Sequence, residues 1–148
     1  MANSIQYAKI ASTPSEKVKT NELYGRVRSA FAEYEASAEQ ATITMFVIPN
    51  GARIVRSRLG HDALGSSTTL SIGHAAYVNA AGTTVALDVD EYKAAAASTS
   101  LTSFNIAATT ALGENSVVDA PEGLVVTATT AGANATGLIT VQMTYVLD

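Results

Sequence analysis

An all-β domain, a sandwich of short strands, is what this sequence predicts, and three observations predict it. The closing run 138–147 alternates without a break, with Ile139, Val141, Met143, Tyr145 and Leu147 facing one way and Leu138, Thr140, Gln142, Thr144 and Val146 the other. That is the two-residue period of a strand. Several other apolar runs are short and separated by turns containing Gly, Asn or Pro, the pattern of a sandwich or barrel and not of an α/β sheet. The composition agrees: 47% of the 148 residues are apolar, most of them Ala and Val, while Trp is absent and Phe and Tyr are few. A core made from these residues is built of small and β-branched side chains, which suit pleated surfaces.

The elements follow in chain order. Residues 1–22 are polar, rich in Ser, Thr and Lys and broken by Pro14. They read as an extended arm that cannot bury enough apolar surface to order itself without a partner. The remaining residues, 23–148, read as a single β-sandwich domain with little helix. From Gly25 to Ala36 the alternation is partial, with Val27, Phe31 and Glu33 on one face and Arg26, Arg28, Ala30 and Tyr34 on the other; a short helix also accommodates it. The run 41–49, closed by Pro49, is β-branched and aromatic, a clear strand signature. Asn50-Gly51 is a strong turn signal because both residues tolerate positive φ. With 53–59 behind it, the stretch 41–59 reads as a hairpin or a tight strand corner. After Gly65, Thr68, Leu70 and Ile72 alternate with Thr69, Ser71 and Gly73, as in a half-buried strand. The segment from His74 begins as loop or short strand, and 88–97 has helix-compatible residues with acidic groups at its start, where a helix dipole favours them. Further strands are expected at 101–108 and 124–130.

Charge and cysteine content narrow the function. Without Cys there is no disulfide, thiolate nucleophile or thiolate metal site. The net charge of −4 argues against nucleic-acid binding, which needs a basic surface. No apolar run is long enough to span a membrane, and the N-terminus lacks the apolar stretch of a signal peptide. Only 15% of residues are charged, against about 25% in an average domain, so part of the surface is expected to meet a partner. The charge is also split. Residues 1–58 carry eight basic and five acidic groups, and 59–148 carry one basic and eight acidic, giving +3 and −7. The split fits separate solvated faces or electrostatic complementarity between neighbouring subunits.

Catalytic chemistry finds few candidates. His61 and His74 flank the hydroxyl-rich strand and are expected in loops or at the surface. A zinc site at either would need further ligands, and Asp62, adjacent to His61 on an extended chain, points the opposite way. Asp88, Asp90 and Glu91 offer oxygens to a calcium ion but lack the glycine and late bidentate Glu of an EF-hand loop. No phosphate-cradling loop, nucleophile elbow or zincin motif occurs. No catalytic, cofactor or metal site is therefore expected, and the chain reads as a non-enzymatic repeating subunit of a larger assembly.

The order of motifs "IPNGARIV" (48–55), "ALGSSTTLSIG" (63–73), "AAYVNAA" (75–81) and "TATTAGANATGLITVQMTYV" (127–146) resembles that of small structural proteins of tailed bacteriophages, which serve as capsid cement or decoration proteins. The resemblance covers roughly residues 24–148. It implies a jelly-roll-like β-sandwich, made in the host cytoplasm and carried on the outside of the icosahedral head. There it would act as a homotrimer, clamping neighbouring major capsid protein subunits. Lys9, Lys17 and Lys19 in the arm and Arg53, Arg56 and Arg58 on the following strand are the residues expected to make polar contacts with the capsid or a sister subunit. Competing readings are a head–tail connector, tail or fibre component, and a carbohydrate-binding β-sandwich; the last is disfavoured by the absence of Trp.

Overall fold

The computed structural model describes residues 25–106 and 116–147, together with residues 8, 9, 11, 12 and 17; for 104–106 it describes the backbone alone. Ten strands are described: β1 (Arg26–Glu39), β2 (Thr42–Ile48), β3 (Arg53–His61), β4 (Thr69–His74), β5 (Tyr77–Val78), β6 (Thr84–Val85), β7 (Asp88–Ala97), β8 (Thr102–Ile106), β9 (Leu124–Ala131) and β10 (Ala135–Leu147). Eight of them form two four-stranded antiparallel sheets, sheet A in the order β1-β10-β3-β8 and sheet B in the order β2-β9-β4-β7; β5 and β6 form a small separate hairpin. Successive long strands cross between the sheets except at β4 and β7, which pair within sheet B, and this order is that of a jelly roll.

The core lies between the sheets and is aliphatic. Ile48, Ile54, Leu59, Leu70, Ile72, Val126, Ile139, Val141 and Met143 are fully buried, each contributing about 1.5–3 kcal/mol of burial. On β10 the inward set is the one its alternation predicts: Ile139, Val141, Met143 and Tyr145 are buried. On β1 the inward residues are Ala30, Ala32, Tyr34 and Ala36, all small but the tyrosine, which leaves Phe31 and Val27 outward at 59% and 67% exposure. Small inward residues let this edge strand sit close to the second sheet.

Corners between the sheets are tied by specific hydrogen bonds. Ala38 has φ 60° at a bulge between Ser37 and Glu39, and the chain then enters β2 through Ala41, whose N–H donates to Thr130 Oγ1 at 3.0 Å. The stretch 41–59 is a corner and not a hairpin, since β2 and β3 lie in different sheets. Its turn is the expected one: Gly51 has φ 78° and the Ala52 N–H donates to the Pro49 carbonyl at 3.2 Å. Another tie is the buried pair Thr68 Oγ1 and Ser98 Oγ at 2.9 Å.

Three expectations are corrected. Residues 88–97 form a strand, β7, paired with β4, because the edge of sheet B offers a ladder that outweighs the helix propensity of the Ala run. The strand 69–74 is buried on both faces and not half-buried. His61 and His74 are buried at the ends of β3 and β4, not placed at the surface. Within the arm expected to be extended over 1–22, Ala8, Lys9 and Ala11 are helical, with Ser12 Oγ donating to the Lys9 carbonyl at 2.7 Å. Lys17 is exposed, and Lys19 lies outside the described residues.

Candidate functional site

The outer face of sheet A is where side chains of interest converge. The spacing of Arg53, Arg56 and Arg58 does not follow a two-residue period, so an unbroken strand would divide them between faces. A bulge resolves this. The pairing of β3 with β10 shifts between Thr144 and Tyr145, so Arg53 partners Val146, Arg56 partners Thr144 and Arg58 partners Gln142. All three partners are even-numbered positions of β10, on the face of the strand opposite Ile139, Val141, Met143 and Tyr145, though Val146 is itself buried. One unpaired residue, Val55, thus brings three arginines to one surface, the re-aiming that bulges perform. Arg56 and Arg58 are exposed and Arg53 is half-buried beside its bridge to Val117. Lys9 and Lys17 are not brought into this group by any described contact.

Arg58 is held in place by its Nε–H, which donates to Ser103 Oγ on β8 at 2.9 Å. Gln142 Nε2 on β10 donates to Ser29 Oγ on β1 at 3.1 Å. Between these residues a polar cleft of about 210 Å³ is lined by Arg56, Arg58, Gln142 and Thr144. It adjoins a larger groove of about 350 Å³ whose walls are Phe31, Leu138 and Leu101, the last 75% exposed. Gly60 and Thr140 floor the groove, and Thr140 occupies the space beside the glycine: a Cβ there would lie 2.8 Å from Thr140 Oγ1. Thr140 Oγ1 instead donates to the Gly60 carbonyl at 3.2 Å. At the far end Asp62 Oδ2 accepts from the Leu138 N–H at 3.1 Å.

The histidines serve the strand ends. Leu59-Gly60-His61 on β3 and Ile72-Gly73-His74 on β4 are parallel arrangements, each with a buried aliphatic residue, an outward glycine and a buried histidine. In each, the ring Nδ1 bonds the carbonyl of the next residue, Asp62 at 2.7 Å and Ala75 at 2.9 Å. A carbonyl only accepts, so Nδ1 carries the proton. His74 also meets Tyr77 and Tyr92 edge-on, with ring centroids 5.3 and 6.4 Å apart. This repeated apolar-Gly-His signature is visible in the sequence and would have marked both histidines as inward-facing.

The acidic residues of β7 form a local group. The Asp90 N–H donates to Asp88 Oδ1 at 3.0 Å, which with the nearby His74 holds the Asp88 carboxyl below the usual range. Sharing a hydrogen bond with Asp88 pushes Asp90 up, and burial does the same to Glu91. Among the described residues, no group of three or more His, Cys, Asp or Glu side chains is placed to hold a metal ion.

No protein-family model matches the chain, and no curated protein matches its sequence. Solved structures do match its fold. A chain of the cyanophage Pam1 capsid asymmetric unit aligns with 93% of this chain and 96% of its own, at a TM-score of 0.62 and 19% identity. A chain of the capsid of Ralstonia phage GP4 aligns with 84% of this chain and 86% of its own, at 0.60 and 20% identity. One from the acid-stable capsid of Helicobacter pylori bacteriophage KHP30 covers 82% of this chain and 87% of its own, at 0.55 and 17% identity. The jelly roll is therefore shared, nearly end to end, with chains found in three phage capsids.

Proposed function

We propose that the protein is a virion structural protein, a cement or decoration subunit that binds the outside of an icosahedral phage head and clamps neighbouring major capsid protein subunits. The observation that carries this reading is the near-full-length match of the fold to chains of phage capsid structures. The motif order in the sequence supports it independently. The basic, groove-bearing face of sheet A supplies a surface for an acidic partner, and the arm residues Lys9, Lys17 and Lys19 add a second point of contact. The subunit acts as a homotrimer, so that each trimer makes several contacts at high effective concentration and individually modest contacts hold a shell.

The deciding measurement is copy number. Gel densitometry of purified particles, scaled to the major capsid protein, gives hundreds of copies for a cement protein. Six or twelve copies would place it at a head–tail connector or tail instead. Adding the purified chain back to expanded shells that lack it should restore their resistance to heat, and a chain lacking residues 2–20 should bind those shells more weakly.

A further inference from the structure

We propose that the outer face of sheet A recognises a short extended segment of another protein, in which a carboxylate side chain stands two residues from a large aliphatic or aromatic one. Three features of the face converge on this. Arg56 and Arg58 make no ion pair with a carboxylate among the described residues, and both line the polar cleft beside Gln142 and Thr144. Arg58 is pre-set by Ser103 through Nε, which leaves the end of its guanidinium fork for a carboxylate. The adjoining groove is walled by Phe31, Leu101 and Leu138 and floored by Gly60 and Thr140.

The spacing selects an extended chain. Arg58 and Gly60 are consecutive outward positions of β3, about 6.6 Å apart along the strand. Side chains at i and i+2 of an extended segment lie on one face at that same separation. A segment running along β3 therefore sets its carboxylate over Arg58 and Arg56 while its apolar side chain lies in the adjoining groove, against Phe31, Leu101 and Leu138. The partner chemistry is complementary in charge to the arginines and in character to the groove walls. If the cement reading holds, the segment belongs to the capsid shell; only the identity of its owner rests on that reading.

The probe is a capped pentapeptide with glutamate second, leucine fourth and serine elsewhere, added at up to millimolar concentration to isotope-labelled full-length protein observed by NMR. Shifts are expected at residues 58, 60, 103, 140 and 142. Replacing glutamate by glutamine, or leucine by serine, should weaken binding about tenfold, the scale of one charge-assisted hydrogen bond or one buried side chain. Arg58→Gln and Phe31→Ser should weaken it equally while leaving the melting curve unchanged, since both side chains are exposed.

Three outcomes of these additions would overturn the proposal. These are an absence of shifts on this face, equal binding of the glutamine peptide, or equal shifts from free glutamate and leucine added together. Concentration-dependent shifts at the same residues without peptide would assign the face to a second copy and overturn it too. Shell binding in parallel separates the two readings. Decoration without peptide binding removes only this inference, and peptide binding without decoration removes only the cement role.

Discussion

Gly73 in sheet B and Gly60 in sheet A stand in equivalent places, each facing outward one residue before a buried histidine, yet the space beside them is used in opposite ways. Over Gly73 the chain closes on itself: a side chain there would overlap the backbone of Asp88 and Val89, where β7 bulges against β4. Over Gly60 no backbone crosses: a side chain there would meet the Thr140 hydroxyl, and Gly60 and Thr140 together floor a groove between Phe31 and Leu101. The same residue type thus completes the fold in one sheet and opens a surface in the other. Sheet B is closed over by its own strand β7; sheet A keeps an open groove.

The largest expected effect breaks this comparison at its closed end. Gly73→Ala forces a Cβ into backbone that cannot rotate away, and a loss of about 4 kcal/mol or more is expected, read as insoluble protein or a collapsed denaturant midpoint. Next, Ile72→Ala and Leu59→Ala should each cost about 3–4 kcal/mol. Both side chains are fully buried, so the inner faces of the two sheets should be equally sensitive in chemical denaturation. Gly60→Ala should cost only about 1 kcal/mol, because the atom it crowds is a rotatable hydroxyl. It should nonetheless raise the groove floor and weaken shell binding in co-sedimentation. A cost as large as that of Gly73→Ala would erase the difference between the sheets.

The smallest effect concerns pH. Burial, followed by the charge of Asp88, raises the Glu91 carboxyl above its ordinary range. A raised carboxyl favours the fold below its unfolded pKa, near 4.3, and loses that contribution as pH climbs through the folded value. Glu91→Gln has no such loss. Its melting temperature relative to the parent should therefore rise from pH 3.5 or so to neutrality, and a flat difference would place the carboxyl in ordinary solvent.

Much of this fold is legible in the sequence because its strands carry their period openly. The inward set of β10 and the turn at Asn50-Gly51 are decided locally, by alternation and by backbone preference. What is not legible depends on neighbours. The Ala run of β7 is helix-compatible in isolation and becomes a strand only because β4 offers an edge. Arg53, Arg56 and Arg58 read as a basic stretch, but their placement on one face depends on a bulge that appears only in the register between β3 and β10. The groove is more hidden still, since Phe31 and Leu101 are 70 positions apart in sequence. Its one local clue is that Phe31 alternates out of phase with Ala30, Ala32 and Ala36.

Among the described strands, β9 and β10 are the ones that hold β1 and β2 in their sheets. β9 lies between β2 and β4, and β10 lies between β1 and β3, while β1 and β2 have no other sheet neighbours. During synthesis, β3, β4, β7 and β8 can pair as they emerge, but β1 and β2 must wait as unpaired edges until residues 124–147 are available. Completion is thus a late, long-range event, of the kind that slows folding. The groove wall formed by Phe31 comes into being only at that step. Before β1 pairs with β10, the arginines of β3 stand without the wall opposite them, so that pairing is also what completes the groove.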